Sequence, residues 1–98
     1  MEELKLYVIY HAKPNGREAF VRTLVEQGVV TAIRQEEGCL AYDYYFSAQD
    51  ENELLLIERW VSDAHQRVHM EQPHMEKVKA AKALYIDSTE LGRFTTEG

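Results

Sequence analysis

The chain has 98 residues, of which 45% are hydrophobic and 29% charged, and its formal net charge is −6 with a pI near 5.1. This length and composition are typical of one soluble globular domain, which we place at residues 1–98. The acidic balance disfavours nucleic acid, anionic membranes and, more weakly, acidic small substrates, because such partners need clustered Lys and Arg.

The first residues and the cysteine usage predict the cellular compartment. Met1 is followed by Glu2 and Glu3 rather than by a basic and then apolar stretch, so no secretory signal is expected. No run approaches the roughly 18 apolar residues that span a bilayer. The single cysteine, Cys39, cannot form a disulfide within the chain and is interpreted as a small buried side chain. We therefore expect a cytoplasmic protein with no membrane partner.

The first two predicted elements are a strand and a long helix. Leu4–Ala12 is rich in aromatic and β-branched residues, which predicts a strand that is largely apolar on both faces. Asn15 followed by Glu18 predicts a capping box that opens a helix over residues 16–37. Gly28 inside this helix costs about 1 kcal/mol relative to Ala, so it predicts a kink or a close backbone approach.

One half of this helix is expected to pack on the sheet. The predicted packing face is apolar and contains Phe20, Val21, Leu24, Val25 and Ala32. Val30 and Ile33 fall outside it, which indicates a change of helix phase after Gly28.

Two further strands are predicted to form a hairpin. The first covers residues 39–47 and places Tyr42 and Tyr44 on one face. The second begins with apolar residues 54–57 without alternation, as expected of a strand covered on both faces. Glu58 shares its parity with Trp60 and is therefore expected among apolar side chains. A carboxylate in such a place has either a structural ion-pair partner or a functional role.

A helical pair and a last strand complete the chain. Ser62 is a good N-cap for a short helix whose inward stripe is predicted to contain Ala64 and Val68. His65 and His69, also four residues apart, are expected at the boundary of that stripe. Pro73 opens a second helix over residues 73–82, and the final strand is predicted over residues 83–94.

Three histidines follow the pattern H-x3-H-x4-H. The spacing of His65 and His69 suits a helical zinc site, but position 66 is Gln and no carboxylate is clearly available as a third ligand, so a metal is disfavoured. The other interpretations are hydrogen-bonded boundary histidines, or general acids and bases that line a pocket.

The predicted element order is β, α, β, β, α, β, which is the split βαβ arrangement of α+β, ferredoxin-like domains with one antiparallel sheet. Several strands are apolar on both parities, yet the helices can cover only one face of the sheet. We therefore expect the open face to pack against a second copy in a homodimer.

The chain resembles the antibiotic biosynthesis monooxygenase (ABM) domain, and within it the small bacterial quinol monooxygenases. The residues that carry the resemblance are EEGC at positions 36–39, LLIERW at 55–60, Ser62, the Ala64-His65 pair, His69 and Pro73-His74-Met75. The resemblance implies a dimeric α+β barrel that oxidises quinols, phenols or anthrones with molecular oxygen and no flavin, metal or haem.

The resemblance also implies roles for individual residues. We expect His69 to be the catalytic base, assisted by His65 or His74. Trp60, Tyr42 and Tyr44 are expected to form flat walls that hold an aromatic ring, and Glu58 to orient a histidine or to bind the substrate.

The same family contains haem-degrading enzymes and an isomerase of a phosphorylated quorum-sensing signal of the autoinducer-2 type. Haem binding is disfavoured because Lys79 and Ala80 stand near the position of the expected haem-binding histidine. The isomerase pattern matches His69 and Pro73-His74, but the acidic balance and the lack of an obvious Arg or Lys phosphate clamp disfavour it. A non-catalytic module that holds a small aromatic compound in the dimer cavity is the remaining alternative.

Overall fold

The computed structural model describes residues 2–97, so Met1 and Gly98, the two ends of the predicted domain, lie outside the described part. The elements in chain order are β1 (Leu4–Ala12), α1 (Gly16–Glu26), α2 (Val29–Arg34), β2 (Cys39–Phe46), β3 (Glu53–Trp60), α3 (Asp63–Met70), α4 (Met75–Tyr85) and β4 (Ile86–Arg93). The four strands pair antiparallel in the order β2-β3-β1-β4. This confirms the α+β, ferredoxin-like prediction. Between residues 2 and 97, no helix is both long and apolar enough to cross a bilayer.

The core lies between one face of the sheet and the helices. Successive side chains of a strand point to opposite faces, and in β1 and β3 every second residue is buried. The buried strand residues include Leu6, Val8, Tyr10, Leu54, Leu56, Glu58 and Trp60, and they pack against Phe20, Leu24 and Ile33 of the helices. Burial of this apolar surface stabilises the fold.

The opposite face of the sheet is uncovered in the single chain. Its side chains in the two central strands include Tyr7, Ile9, Leu55 and Ile57, which are only half-buried. The prediction that the helices cover one apolar face and leave the other open is therefore confirmed.

The long predicted helix is two helices separated at Gly28. Gly28 adopts a left-handed conformation with φ 74°, which confirms the predicted break. The change of direction buries Val30 and Ile33, the two residues that did not fit the first stripe. Val25 is 56% exposed, so its predicted place on the packing face is wrong. It lies about 100° around the helix from Leu24, which faces the core.

The predicted capping box at the start of α1 is also wrong. Asn15 has φ 62° and its side chain caps no backbone group, because a capping residue needs extended rather than left-handed backbone. The Glu18 carboxylate instead accepts from Arg17 Nε at 3.0 Å. Pro14 and Asn15 form a tight turn, closed by the Gly16 N–H donating to the Lys13 carbonyl at 2.8 Å.

The short helix α3 turns a different face toward the core from the predicted one. Ala64 is exposed and Val68 is 57% exposed, whereas His69 is only 1% exposed. Hydrophobic periodicity missed this orientation because the buried residue of α3 is a histidine, which contacts the Glu36 carboxylate as well as the Trp60 ring. The next helix runs over Met75–Tyr85, so residues 83–85 belong to α4 and not to the last strand.

Candidate functional site

A cavity of about 230 Å³ lies between the helix-covered face of the sheet and the helices α3 and α4. Its walls are mostly apolar and include Leu6, Val8, Tyr10, Tyr42, Met75 and Val78. It opens beside β4, where Leu91 is part of the lining and is 67% exposed. An apolar cavity of about 150 Å³ accommodates benzene, so the volume here suits one substituted ring.

His69 is the central polar group of this cavity. Its Nδ1 lies 2.9 Å from Glu36 Oε2, and its Nε2 lies 3.9 Å from Glu58 Oε1. An ionised carboxylate only accepts hydrogen bonds, so contact with Glu36 places the proton on Nδ1. The lone pair of Nε2 is then directed toward Glu58 and the cavity, which is the arrangement of an oriented general base.

Glu36 joins two histidines. The same Oε2 that contacts His69 also lies 2.8 Å from His74 Nε2. The side chains of Glu36 and His74 are 9% and 21% exposed, so the chain of contacts runs from the buried imidazole of His69 toward the surface. Distances of this length are typical of charge-assisted hydrogen bonds.

Glu58 is a buried carboxyl group, as its strand parity predicted. It is 7% exposed and accepts a hydrogen bond from Trp60 Nε1 at 3.0 Å. Burial raises the pKa of Glu58, although the Trp60 hydrogen bond and the nearby His69 act in the opposite direction. This group is therefore easier to protonate than an exposed glutamate, and its acid form can donate a hydrogen bond into the cavity.

Of the three predicted aromatic walls, the structure places only Tyr42 in the cavity lining. Trp60 is fully buried, and its ring centroid lies 4.5 Å from that of His69, so it supports the imidazole from outside the cavity. Tyr44 packs edge-on against Phe20 and Tyr42 in the core. Both side chains are required to fill the core beneath α1 and α3, which leaves no part of them for the cavity.

The three predicted catalytic histidines do not converge on one point. His65 Nδ1 lies 2.7 Å from Ser62 Oγ, and its ring is so close to Gly38 that a Cβ there would lie 2.4 Å from the imidazole. His65 therefore belongs to a separate surface pocket beside α3. His74 contacts Glu36 but does not line the cavity.

Glu36 is the site residue to which sequence reasoning gave no role. The predicted helix over residues 16–37 placed it in a last turn, where a carboxylate opposes the helix dipole. The helix in fact ends at Arg34, and Gly38 with φ 85° turns the chain so that Glu36 faces α3. Gly38 indicates a left-handed turn from the sequence, as observed, but no local pattern indicates which element Glu36 then faces.

Glu36, His69 and His74 also form the best candidate for a metal site. They offer three ligand atoms within 4.8 Å of one another. Two histidines and a glutamate are a donor set of catalytic zinc enzymes. The expectation that the chain lacks a carboxylate as third ligand is therefore wrong.

The cavity lies on the helix-covered face of the sheet, because Glu58 and Tyr42 point to that face. A second copy packed on the open face would lie on the other side of the sheet. The cavity described here is therefore contained within one chain and lies apart from the expected interface.

Comparisons with known proteins agree with this fold. The sequence pattern of the family described as antibiotic biosynthesis monooxygenase matches residues 6–81. The chain is 33% identical over 64 residues to "Putative monooxygenase YcnE" of Bacillus subtilis, covering 65% of each chain. It is 38% identical over 68 residues to "Putative monooxygenase Rv0793" of Mycobacterium tuberculosis, covering 69% of this chain and 64% of the relative. The matched segments thus span slightly less than two thirds of either relative.

Solved structures extend the likeness to the whole fold. The structure of Rv0793 from Mycobacterium tuberculosis has a TM-score of 0.80 at 26% identity and covers 99% of this chain and 97% of its own. The crystal structure of PA3566 from Pseudomonas aeruginosa has a TM-score of 0.84 at 24% identity and covers 100% and 97%. At 24% identity, the match to PA3566 shows that the two chains share a fold.

Proposed function

The chain belongs to the antibiotic biosynthesis monooxygenase family, and on that premise we propose that it oxidises a single-ring quinol or phenol with molecular oxygen, using its own side chains and no bound cofactor. The observation that carries this proposal is the imidazole of His69, held by Glu36 at 2.9 Å and directed into a largely apolar cavity of about 230 Å³. The names of the two curated relatives support the reaction class.

The chemistry requires a base because ground-state oxygen is a triplet and reacts slowly with closed-shell molecules. A quinol becomes an electron donor when its hydroxyl loses the proton. A phenol has a pKa of about 10 and a free imidazole one of about 6.5, so the site must supply about 5 kcal/mol for proton transfer. The imidazolium that forms at His69 lies between the carboxyl groups of Glu36 and Glu58, which stabilises it, and the largely apolar walls of the cavity strengthen these contacts.

The proposed steps balance for a simple quinol. His69 Nε2 takes the hydroxyl proton, and the quinolate transfers one electron to oxygen, giving an aryloxyl radical and superoxide. The two recombine at a ring carbon, the His69 imidazolium returns its proton to the peroxide anion, and the resulting hydroperoxide loses water. One oxygen atom of O2 thus enters the ring as a hydroxyquinone, the other leaves as water, and the substrate supplies all the electrons.

The proposed function includes a homodimer formed through the open sheet face. That face remains half-exposed in the single chain at Tyr7, Ile9, Leu55 and Ile57, and isolated domains rarely leave a contiguous apolar surface of this kind uncovered.

Sedimentation equilibrium tests this arrangement. A stable dimer is expected, and an Ile57→Lys variant should dissociate it. A folded monomer at micromolar concentration in the unmodified protein would contradict it.

Oxygen uptake tests the activity directly. Protein treated with EDTA is incubated with a panel of single-ring quinols in an oxygen electrode, and we expect uptake with formation of a hydroxyquinone. A His69→Gln variant should lose at least about a hundredfold in kcat, in the range that general bases contribute. The matched control is His65→Gln, which alters a histidine outside the cavity and should leave the rate unchanged. Undiminished turnover by His69→Gln would remove His69 from the mechanism.

One feature favours a second candidate, the isomerisation of an anionic carbonyl compound. Lys79 and Lys82 line the cavity, and they supply the cations whose apparent lack disfavoured this activity at the sequence level. Oxygen consumption distinguishes the monooxygenase from an isomerase, because an isomerisation converts the substrate without consuming oxygen. Uptake in EDTA supports the monooxygenase, loss on chelation indicates a metal at Glu36, His69 and His74, and tight binding without any turnover indicates a binding module.

A further inference from the structure

We propose that the substrate of this cavity is an aromatic acid, and that Lys82 binds its carboxylate or phosphate group at the end of the cavity remote from His69. The inference rests on the proposed function for the ring and its reacting hydroxyl. The acidic group is argued separately, from the distribution of charge along the cavity.

The two ends of the cavity differ in chemistry. Glu58 is paired with Leu6 across β1 and β3, so the carboxyl and imidazole end lies beside Leu6. Lys82 Nζ lies 5.9 Å from the ring centroid of Tyr10, four residues further along the same strand. At about 3.3 Å per residue, the two lining residues of β1 are roughly 13 Å apart. A single ring with a polar group at each end fits this separation once the reach of a lysine side chain is included.

Lys82 is a cation without a local counter-charge. Within the described residues 2–97, no carboxylate forms an ion pair with it, although the chain carries 17 acidic residues against 11 basic ones. Its neighbour Lys79 already pairs with Glu76 at 3.3 Å in a solvent-exposed contact. Lys82 is half-buried over Tyr10, and a partly desolvated ammonium interacts more strongly with an anion than an exposed one does.

This inference reverses one expectation drawn from composition. The net charge of −6 disfavoured acidic substrates, but net charge describes the whole surface and not a cavity. Inside the cavity Lys82 lies at the end beside Tyr10, while Glu58 and His69 occupy the other end. An acidic group near Lys82 therefore also fixes which hydroxyl of the ring meets His69.

Equilibrium binding tests the inference without any turnover. Trp60 is the single tryptophan, and its ring is in contact with His69, so its fluorescence reports on the occupied cavity. Benzoate, phenyl phosphate and the neutral benzyl alcohol are titrated into wild type and a Lys82→Met variant. We expect the better of the two acids to bind wild type roughly tenfold more tightly than the alcohol, and Lys82→Met to remove this preference.

Control variants separate a direct contact from the general field of the protein. Lys77→Met makes the same change of charge on an exposed position of α4 outside the cavity and should keep the preference, as should Lys82→Arg. In wild type alone, raising the salt concentration from about 0.01 to about 0.15 M should weaken the binding of the acids and leave the binding of the alcohol unchanged. This measurement needs no variant to fold.

Equal affinities for acid and alcohol in wild type would overturn the inference. An equal loss of the preference for acids in Lys77→Met and Lys82→Met would overturn it as well. Failure of this inference can be distinguished from failure of the proposed function. Acid preference without oxygen uptake would refute only the monooxygenase, and turnover of neutral quinols without acid preference would refute only the role of Lys82.

Discussion

Replacement of Glu36 by Gln tests the arrangement of the site most sharply among single substitutions. The Glu36 carboxylate accepts hydrogen bonds from His69 Nδ1 at 2.9 Å and from His74 Nε2 at 2.8 Å through the same oxygen. Gln has nearly the same shape but only one accepting oxygen and no charge. Its NH2 group therefore competes with an imidazole N–H, and the proton on His69 Nδ1 is no longer fixed.

The expected magnitudes follow from these contacts. Both imidazoles contact the same oxygen, so Glu36→Gln can keep both bonds but removes the charge of their acceptor. A hydrogen bond to a charged group contributes about 1.5–3 kcal/mol and a neutral one about 0.5–1.5 kcal/mol, so the free energy of unfolding should fall by about 1.5–3 kcal/mol. The loss in kcat should be about a hundredfold or more, because a correctly oriented base contributes 10²–10⁴-fold. A hundredfold loss corresponds to about 2.7 kcal/mol of transition-state stabilisation.

The assay combines urea unfolding with oxygen uptake in EDTA, and Glu37→Gln is the matched control. Glu37 is the next residue, carries the same charge and is exposed, so its replacement should change neither quantity measurably. If Glu36→Gln retains the wild-type rate, the proposal that Glu36 orients His69 is wrong. Equal effects in both variants would instead point to the net charge of the protein.

Three further substitutions test buried groups and backbone. Because burial raises the pKa of Glu58 above its ordinary value of 4.5, its ionisation penalty is absent below that pH, grows as the pH rises above it, and becomes constant once the folded-state pKa is passed. In urea unfolding, Glu58→Gln should thus gain stability relative to wild type as the pH rises above 4.5, by about 1.36 kcal/mol per unit of pKa shift in total, and parallel curves would refute this. Tyr44→Phe should not lower the free energy of unfolding and should raise it by at most about 1 kcal/mol in thermal unfolding, because the Tyr44 hydroxyl is buried and meets no partner at hydrogen-bond geometry in the described part of the chain, with the Tyr42 hydroxyl as its polar neighbour; a clear loss would show that the two hydroxyls are hydrogen-bonded. Gly28→Ala should lower the free energy of unfolding in urea by about 1–2 kcal/mol. The site has space for a Cβ, but its φ of 74° is unfavourable for Ala, so an unchanged midpoint would contradict the strain.

Local sequence patterns predicted most of the fold. Leu4–Ala12 and the run before Trp60 have the composition of central strands, and the order of elements leaves one topology. The parity of Glu58 with Trp60 correctly placed a carboxyl group in the core. These features depend on neighbours in sequence, which is why they could be derived without coordinates.

The residues that form the site could not be predicted from local patterns, because they are brought together by contacts between segments distant in sequence. Glu36 meets His69 and His74 across 33 and 38 positions of sequence, and no local periodicity reports such a pairing. The inward face of α3 was mistaken because its buried member is a histidine and its exposed members include Val68. Lys82 was missed for the same reason, since its role depends on Tyr10 in the first strand.

The central claim is that this cavity takes the proton from a bound phenol at neutral pH, and the spectrum of a bound phenol tests it most directly. 4-Methylphenol has an ordinary pKa of about 10 and is therefore neutral in solution at pH 7. At saturation, its near-ultraviolet difference spectrum should show the phenolate in wild type and the neutral phenol in His69→Gln. A neutral spectrum in wild type up to about pH 9 would contradict the account.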